Sequence, residues 1–268
     1  MVRDQTEGKG GRALVVGILN VTPDSFSDGG RYLDVDAAVA RARRMVSEGA
    51  DWIDVGGEST RPGAPPVDAE EECRRVLPVI AAIAELAPVS VDTRKAVVAA
   101  RALAVGARII NDVSAMDDPE MPAVSADADA IVLMHMRGTP ATMTRLTDYD
   151  DVVTEVRDHL LRRAERARAP QVWLDPGIGF AKTAAQSLAL LRGLPDLVAT
   201  GYPVMVGASR KSFIGATLGL PDPADRLPGS LAAAAAACMA GARALRVHDV
   251  RPTRQVVEMM AAIAAARP

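Results

Sequence analysis

The chain has 268 residues, 49% of them hydrophobic, and its 31 basic and 34 acidic side chains leave a formal net charge of -3. This balance excludes a generally basic surface for nucleic acid or anionic membranes, and the apolar stretch at 231–237 is too short to cross a bilayer. Two widely spaced cysteines, Cys73 and Cys238, indicate reduced core thiols in a cytoplasmic protein. We expect a flexible tail over residues 1–12 and a single domain over residues 13–268.

Eight short apolar runs, often rich in β-branched residues, recur along the chain and predict buried strands. In chain order they cover residues 13–19, 51–55, 88–91, 107–111, 130–134, 171–174, 203–207 and 244–247. The longer segments between them repeat apolar residues at helical spacing, which predicts amphipathic helices. The clearest apolar faces are formed by Val35, Ala38, Val39, Ala42, Met45 and Val46, by Cys73, Val76, Leu77, Ile80, Ile83 and Ala84, and by Val153, Val156, Leu160 and Ala164.

This alternation of strand and helix decides the predicted fold class. Continuous apolar strands separated by single helices indicate a parallel sheet that is covered on its outer side. Eight such units with no segment left over predict a single (β/α)8 TIM barrel of the α/β class. A doubly wound open sheet is the alternative. No linker or change of composition divides the chain, so we expect one domain.

Almost every predicted strand ends in a polar group. A lone aspartate at such a position is usually a helix cap or a turn former. In a barrel, however, the carboxyl ends of the strands converge on the face where active sites lie, so eight polar ends indicate a common site. The polar groups are Asn20, Asp54 with Glu58, Asp92, Asn111 with Asp112, His135, Asp175, Ser209 with Lys211, and Arg246 with His248.

Two carboxylates and an amide stand at equivalent strand ends. Asp92 lies in VDTRK, Asn111 in IND and Asp175 in LDPGIGF. Taken singly, Asp92 and Thr93 also suit a helix N-cap. In one partly apolar pocket, a carboxylate accepts two parallel N–H bonds, so these residues can hold the donor-rich edge of an aminated heterocycle.

Two adjacent cations, Arg210 and Lys211 in GASRKSFIG, follow the seventh apolar run where a helix should begin. The segment is not a Walker sequence, and a basic first turn opposes the helix dipole. Together with Arg246 and His248 after the next run, they predict an anion pocket at the last two strands, a frequent phosphate site in this fold. His135 and His248 are candidate metal ligands, but no third nitrogen or sulfur ligand accompanies them.

Eight motifs occur in the order and approximate spacing of the bacterial dihydropteroate synthases, a family that the chain resembles from about Leu14 to its C-terminal helix. They are GILNVTPDSFSDGG, DVGGESTRPGA, SVDTRK, NDVS, VLMHM, LDPGIGF, GASRKSFIG and RVHDV. The resemblance implies a (β/α)8 barrel, a homodimer and a transferase. Its reaction joins 6-hydroxymethyl-7,8-dihydropterin diphosphate to 4-aminobenzoate and releases diphosphate, with Mg²⁺ as the cofactor.

The resemblance also implies roles for individual residues. The pterin set is Asp92, Asn111, Met134, Asp175, Phe180, Gly207, Lys211 and Arg246. The diphosphate set is Asn20, Thr60, Arg61, Arg246 and His248, in which Asn20 acts through Mg²⁺. The aminobenzoate set is Thr60, Arg61, Pro62, Phe180, Lys211 and Ser212. Catalysis is assigned to Asp92, Lys211, Arg246 and His248, and residues 20–30 and 57–64 are expected to be mobile loops that close over the site.

Two other functions remain open at this point. A pterin-binding methyltransferase of the same fold would share the carboxylates and the amide, but it would not need the diphosphate residues or the TPDSFSDGG segment. A catalytically silent homologue would bind pterin only. The intact STRPG and SRK segments count against the silent homologue.

Overall fold

Strands and helices alternate along the part of the chain that the computed structural model describes, residues 11–22 and 31–266. The strands are β1 (Leu14–Asn20), β2 (Trp52–Gly56), β3 (Val89–Asp92), β4 (Ile109–Asp112), β5 (Ala130–Met134), β6 (Gln171–Asp175), β7 (Met205–Val206) and β8 (Ala244–Val247). The helices are α1 (Arg31–Ser47), α2 (Ala69–Ile83), α3 (Ala96–Ala104), α4 (Met121–Val124), α5 (Val152–Ala164), α6 (Ala184–Arg192), α7 (Leu194–Val198), α8 (Ser212–Leu218), α9 (Leu227–Met239) and α10 (Val250–Ala265).

The eight strands form one parallel sheet in the order β6-β5-β4-β3-β2-β1-β8-β7. The two ends of this order meet where Leu174 of β6 bridges to Val204, just ahead of β7. There the Leu174 amide donates to the Pro203 carbonyl at 2.9 Å. The sheet therefore closes on itself, which confirms the predicted TIM barrel and excludes the open doubly wound sheet.

The lower part of the barrel interior is filled by an apolar layer. Trp52 and Trp173 meet there edge to face, with ring centroids 5.2 Å apart. Because inward-facing side chains fill a barrel of this size, a ligand can bind only above this layer, at the strand ends. The layer consists of Leu14, Val16, Trp52, Ile109, Ala130, Val132, Trp173, Met205 and Ala244.

The helices cover the outside of the barrel with the apolar faces that their spacing predicts. Ala38, Ala42 and Met45 of α1 are each at most 1% exposed. Helix α2 starts at Asp68, whose carboxylate accepts a hydrogen bond from the Glu71 amide at 2.8 Å, an N-cap of the usual kind. Burial of these faces rather than helix propensity holds the helices in place.

The connection from β4 to β5 departs from the regular pattern because it contains only the single-turn α4 and a 3-10 turn at Ser125–Asp127. The Asp112 carboxylate accepts hydrogen bonds from the amides of Ser114 and Met116 at 2.8 and 2.7 Å. Ala115 and Met116 have φ angles of 48° and 68°, so the chain turns sharply as β4 ends. Asp112 is therefore a turn former, which is the ordinary role of an aspartate after a strand.

The start of the described chain is tied to the base of the barrel. Arg12 is 8% exposed and donates to both Asp51 carboxylate oxygens at 2.8 and 2.6 Å. Residue 12, which the sequence places in a flexible tail, is thus held by an ion pair. Residues 1–10 lie outside the described residues, so the tail itself stays a prediction. Within the described ranges, no helix is long and apolar enough to cross a bilayer.

Candidate active site

A mainly polar layer lies directly above the apolar layer, two residues further along most of the strands. Because side chains alternate along a strand, a step of two residues stays on the inward face. The change from apolar to polar therefore happens at one level around most of the barrel. The inward residues at this level are Asp54, Asp92, Asn111, Met134, Asp175, Gly207 and Arg246.

Arg246 of β8 binds two buried carboxylates at once. Its Nε donates to Oδ2 of Asp54 at 2.6 Å, and its second terminal nitrogen donates to Oδ2 of Asp92 at 2.6 Å. The Asn111 amide donates to the same Asp54 oxygen at 3.1 Å. Asp54 is 1% and Asp92 7% exposed, so these two charges depend on the guanidinium for compensation. We call Asp54, Asp92, Asn111 and Arg246 the charged cluster.

Burial sets the protonation of this cluster. It raises the pKa of Asp92 to about 7, an effect that Arg246 opposes and Asp54 reinforces. Burial acts to lower the pKa of Arg246, but Asp54 and Asp92 outweigh it and raise that pKa above its ordinary value. The guanidinium therefore stays charged, while Asp92 exchanges its proton near neutral pH.

Asp175 and Lys211 form a second charged pair, on the β6 and β7 side of the barrel. Burial raises the pKa of Asp175, and Lys211 and the Gly177 amide, which donates at 2.7 Å, oppose this. Burial lowers the pKa of Lys211 to about 8, and Asp175 counteracts it. Gly207 lies between the two halves of the site, because a Cβ at this position would be 3.8 Å from both Asp175 Oδ2 and Arg246 Cβ.

An apolar wall adjoins the second pair. Met134 is 4% exposed and packs in a small cluster with Val113, Met136, Met143 and Ala181, against which Phe180 rests. The Lys211 ammonium lies 4.3 Å from the centroid of the Phe180 ring. It also donates to the Ile178 carbonyl. A flat aromatic ligand could therefore lie beside this wall with its polar edge toward the carboxylates.

His248 lies just beyond Arg246, at the end of β8. Its Nδ1 is 3.1 Å from the Ser209 hydroxyl, to which the His248 amide also donates at 3.2 Å. Burial lowers the pKa of His248 to about 4, with further lowering from Arg246 and Arg210 and a smaller effect of Arg61. His248 is therefore neutral at pH 7 and offers a hydrogen bond rather than a charge.

Arg210 and Lys211, which the sequence places together in an anion pocket, have different partners in the structure. Arg210 has a φ of 57° and turns away from the barrel axis, where it donates to Asp249 at 2.8 Å through Nε. Lys211 points to the Asp175 side instead. Because a guanidinium and a carboxylate fit each other in a two-point contact, Arg210 is bound to the loop after β8 rather than available to an anion.

The residues predicted to bind diphosphate and aminobenzoate do not all lie close together in the structure. Asn20 ends β1, and its Oδ1 is 3.7 Å from where a Gly56 Cβ would lie. Thr60 lines a small cavity that also includes Asp92 and Thr93. Arg61, Pro62 and Ser212 are exposed. Among the described residues, no hydrogen bond or ring contact joins the 57–64 segment to Phe180, Lys211 or Ser212. Residues 23–30 of the other predicted loop lie outside the described residues.

Sequence reasoning did not include Asp54 among the site residues, although it noticed the residue at a strand end. The signal was present, because Asp54 follows Trp52 by two positions and so shares its inward face. Because successive side chains on a strand face opposite sides, His135 faces away from the barrel interior that its neighbour Met134 faces. His135 points outward, where its Nδ1 lies 3.0 Å from Nζ of Lys182 and its ring centroid lies 4.9 Å from that of His159.

The described residues contain no group of three acidic, cysteine or histidine side chains that could hold a metal.

The loop after β6 depends on a glycine that nothing larger can replace. Gly177 has a φ of 64°, and a Cβ there would lie 1.9 Å from the His135 carbonyl oxygen. We expect Gly177→Ala to lower the free energy of unfolding by about 2–5 kcal/mol, since left-handed strain of about 1–2 kcal/mol adds to overpacking of about 1–3 kcal/mol. Urea denaturation measures this loss.

Gly201→Ala is the matched control for this substitution. Gly201 also has a left-handed φ, 86°, but a Cβ there would meet nothing within 4 Å. The free energy of unfolding of Gly201→Ala should therefore fall only by the left-handed strain of about 1–2 kcal/mol. Equal losses in the two variants would show that the contact with His135 is relieved by movement of the loop.

Comparisons with known proteins find a matching family, similar sequences and similar structures. The family described as pterin binding enzyme matches residues 16–248. A dihydropteroate synthase of Synechocystis sp. is 48% identical over 263 residues, covering 95% of this chain and 91% of that protein. The structure of Xanthomonas albilineans dihydropteroate synthase with 4-aminobenzoic acid superposes with a TM-score of 0.90 at 45% identity, covering 96% and 95% of the two chains. The same enzyme in complex with 7,8-dihydropteroate gives 0.86 at 43% identity and 96% coverage of each chain.

Proposed function

The chain belongs to the pterin binding enzyme family, and we propose that it acts in folate synthesis as a dihydropteroate synthase. This transferase condenses 6-hydroxymethyl-7,8-dihydropterin diphosphate with 4-aminobenzoate. The observation that carries the proposal is the inward polar layer, in which Asp92, Asn111, Asp175, Lys211 and Arg246 stand together above a closed apolar layer. Relatives that match over more than nine-tenths of both chains, as the Synechocystis protein does, support it.

The pterin is assigned to the space between the charged cluster and the Asp175–Lys211 pair. Its amino group and ring N–H groups donate, and carboxylates accept such donors in pairs. Oδ1 of Asp54 is buried and has no hydrogen-bond partner among the described residues, so it is a further acceptor for a ligand or water. Met134 and Phe180 provide the apolar wall, and Gly207 leaves room for the ring plane.

The diphosphate is assigned to the β1 and β8 side, to Asn20, Thr60, Arg61, Arg246 and His248. Two of the Arg246 nitrogens are already engaged by carboxylates, which leaves the third for an anion. His248 contributes a neutral hydrogen bond, because burial lowers its pKa to about 4. The phosphate end therefore meets positive charge from Arg246 and Arg61, and His248 adds a hydrogen bond without adding charge.

Asn20 suits a magnesium ion that arrives with the substrate. Mg²⁺ is usually held by one or two protein oxygens together with phosphate oxygens and water. One amide oxygen at the mouth of the barrel fits this arrangement, and the described residues offer no all-protein cage. When bound, the ion would neutralise charge on the departing diphosphate.

The reaction forms one bond and breaks one. The aminobenzoate nitrogen attacks the methylene carbon of the pterin, the carbon–oxygen bond breaks with its electron pair leaving on diphosphate, and the amine loses a proton to solvent. Arg246, Lys211 and His248 stabilise the charge that develops on the leaving group. Ionised Asp92 stabilises the positive charge that spreads over the pterin. An aromatic amine is unprotonated at neutral pH, so no covalent enzyme intermediate is needed.

The test is a direct assay of dihydropteroate formation by the purified chain with both substrates and Mg²⁺. Product formation that requires all three components is expected. Methyl transfer from a methylated tetrahydrofolate to a corrinoid would establish the methyltransferase instead. Pterin binding without product would establish the silent homologue.

A homodimer in the cytoplasm belongs to the same proposal. The C-terminal helix supports the dimer, because Met259 and Ile263, one turn apart on α10, are 61% and 55% exposed. Neighbouring exposed apolar side chains on one helix face are candidates for contact with a second copy. Sedimentation of the purified chain should therefore show a dimer, and Ile263→Glu should weaken it.

Asp175→Ala is expected to weaken pterin binding by about tenfold to a hundredfold, because a hydrogen bond to a charged group is worth about 1.5–3 kcal/mol. Calorimetry with a pterin analogue that lacks the diphosphate isolates this contact. Asp175→Asn is the control for loop structure, since its amide oxygen can still accept from the Gly177 amide. If Asp175→Ala binds the analogue as the parent does, Asp175 is only a turn former.

A further inference from the structure

Lys182 is a buried lysine that lies outside the proposed substrate contacts. It is 8% exposed and sits between β6 and α6. Its Nζ donates to the Phe180 carbonyl at 2.8 Å and to the His135 carbonyl at 3.4 Å, and it lies 3.0 Å from Nδ1 of His135. Burial lowers the pKa of Lys182 well below its usual range. The two carbonyls and Nδ1 of His135 surround Nζ with three polar atoms, which use the hydrogen-bonding capacity of the lysine amine.

These contacts join the two segments that form the apolar wall. His135 directly follows Met134 at the end of β5, and its amide donates to the Asp175 carbonyl at 3.0 Å. Phe180 lies on the loop after β6. The Lys182 Nζ therefore bridges the backbone behind Met134 to the backbone that carries Phe180.

The loop that Lys182 holds has an unusual backbone and needs external support. Gly177, Gly179 and Ala181 have φ angles of 64°, 81° and 49°. Left-handed residues are not stabilised by regular backbone hydrogen bonding, and Ala181 carries the added cost of its Cβ. Lys211 supports the same loop from the barrel side through the Ile178 carbonyl. The loop is thus held between two lysines, one at the site and one behind it.

The use of lysine in this chain points in the same direction. The sequence has 27 arginines and only four lysines. The three lysines among the described residues, Lys95, Lys182 and Lys211, all follow the carboxyl ends of strands, on the face that holds the site. A compact amine on a flexible stem differs in shape from a planar guanidinium. In an arginine-rich chain, lysine at these positions indicates a geometric requirement for the smaller group.

We propose that Lys182 is a positioning residue for the pterin reaction, which sets the distance between the Met134 and Phe180 walls by joining the His135 and Phe180 carbonyls. It acts on substrate only through those walls, and this assignment rests on the proposed function. Removing the amine should loosen the pterin and aminobenzoate positions together. Diphosphate binding, which is assigned to the opposite side of the barrel, should be preserved.

Lys182→Met tests this directly, because it keeps the length of the side chain and removes all three donors. We expect the dissociation constant of a diphosphate-free pterin analogue to rise about tenfold, with the affinity for inorganic diphosphate plus Mg²⁺ unchanged. In steady-state assays the KM of the pterin substrate should rise more than kcat falls. Lys182→Arg should not restore binding, because a planar guanidinium does not fit the space that the compact amine occupies between the two carbonyls.

Ser187→Ala is the control for general loss of stability. Ser187 is fully buried in the next turn of the same segment, where its hydroxyl donates to the Thr183 carbonyl at 2.8 Å. It should lower the melting temperature without changing the affinity for the pterin analogue. Analogue affinity that is unchanged in Lys182→Met, or lowered no more than in Ser187→Ala, would overturn the proposal, as would full recovery by Lys182→Arg.

Two further arrangements keep the test decisive. If Lys182→Met does not fold, Lys182→Leu, which also has no donor, takes the same measurements under the same criteria. The binding measurements do not require catalysis, whereas the activity assay of the chain without substitutions tests the proposed function alone. Failure of that chain to form dihydropteroate would overturn the proposed function and leave the binding result for Lys182 standing.

Discussion

Arg246→Met is expected to destabilise the protein by about 3–5 kcal/mol at pH 8, because breaking a buried ion pair leaves its partners uncompensated. Arg246 is bonded to both Asp54 and Asp92 at 2.6 Å, and no other basic side chain contacts these carboxylates in the described part of the chain. Guanidinium chloride denaturation measures the loss. Condensation activity should fall as well, because the same side chain is assigned to the diphosphate.

The pH dependence of this loss has a definite sign. Arg246 is the neighbour that lowers the pKa of Asp92, so its removal raises that pKa further above the unfolded value. A group with a raised folded pKa contributes stability at low pH and loses it as the pH rises through that pKa. The destabilisation should therefore be smaller at pH 5 than at pH 8.

A surface arginine provides the control for Arg246→Met. Arg44 pairs with Glu48 at 2.7 Å, but its side chain is 69% exposed. Arg44→Met should cost less than about 1 kcal/mol, as exposed pairs do. Similar losses in the two variants would mean that the charged cluster is hydrated and does not depend on Arg246.

Asp92→Asn is expected to lower kcat/KM about a hundredfold, which corresponds to about 2.7 kcal/mol of transition-state stabilisation. The side chain keeps its shape, but it loses the negative charge that stabilises the cationic pterin. Burial raises the pKa of Asp92 to about 7. In the parent enzyme, kcat/KM should therefore fall on the acid side with a midpoint near pH 7, since this parameter reports groups of the free enzyme. Asp92→Asn should lack this acid limb.

Stability should change in the opposite direction from activity. Because the folded pKa of Asp92 is raised from 3.8 to about 7, its contribution to stability is present below pH 3.8 and is lost as the pH rises through 7. At pH 8 the Asp92→Asn variant, which is neutral at this position, should melt at or above the temperature of the parent. Asp129→Asn, at a surface ion pair, is the control and should keep parental activity. An acid limb that persists in Asp92→Asn would assign the titration to another group.

The barrel was predictable because its strands are buried on both faces. Such strands appear as continuous apolar runs, and each of the eight predicted runs overlaps an observed strand. The weakest agreement is at β7, which has two residues where the run covers 203–207. The helix faces were also predictable, since Ala38, Ala42 and Met45 repeat at the helical period and all three are buried.

The partners of the polar strand ends were less predictable. Asp92 and Arg246 were both expected in one site, but their contact joins residues 154 positions apart. Arg210 and Lys211 are adjacent, and the left-handed φ of Arg210 sends them to different partners. Sequence spacing says nothing about such contacts, because a backbone rotation at one residue redirects a long side chain by several ångströms.

The sequence by itself determined the parallel barrel and the polar groups at its strand ends, because hydrophobic periodicity is a local property, and the family motifs supplied the residues expected to bind a pterin. Only the tertiary structure decided that Arg246 bridges Asp54 and Asp92, that Arg210 pairs with Asp249 and that Lys182 joins β5 to the loop after β6. Each of these depends on which strand ends lie side by side and on how deeply a charge is buried. Burial then sets the pKa of Asp92 near 7, and no single segment of the sequence carries that information.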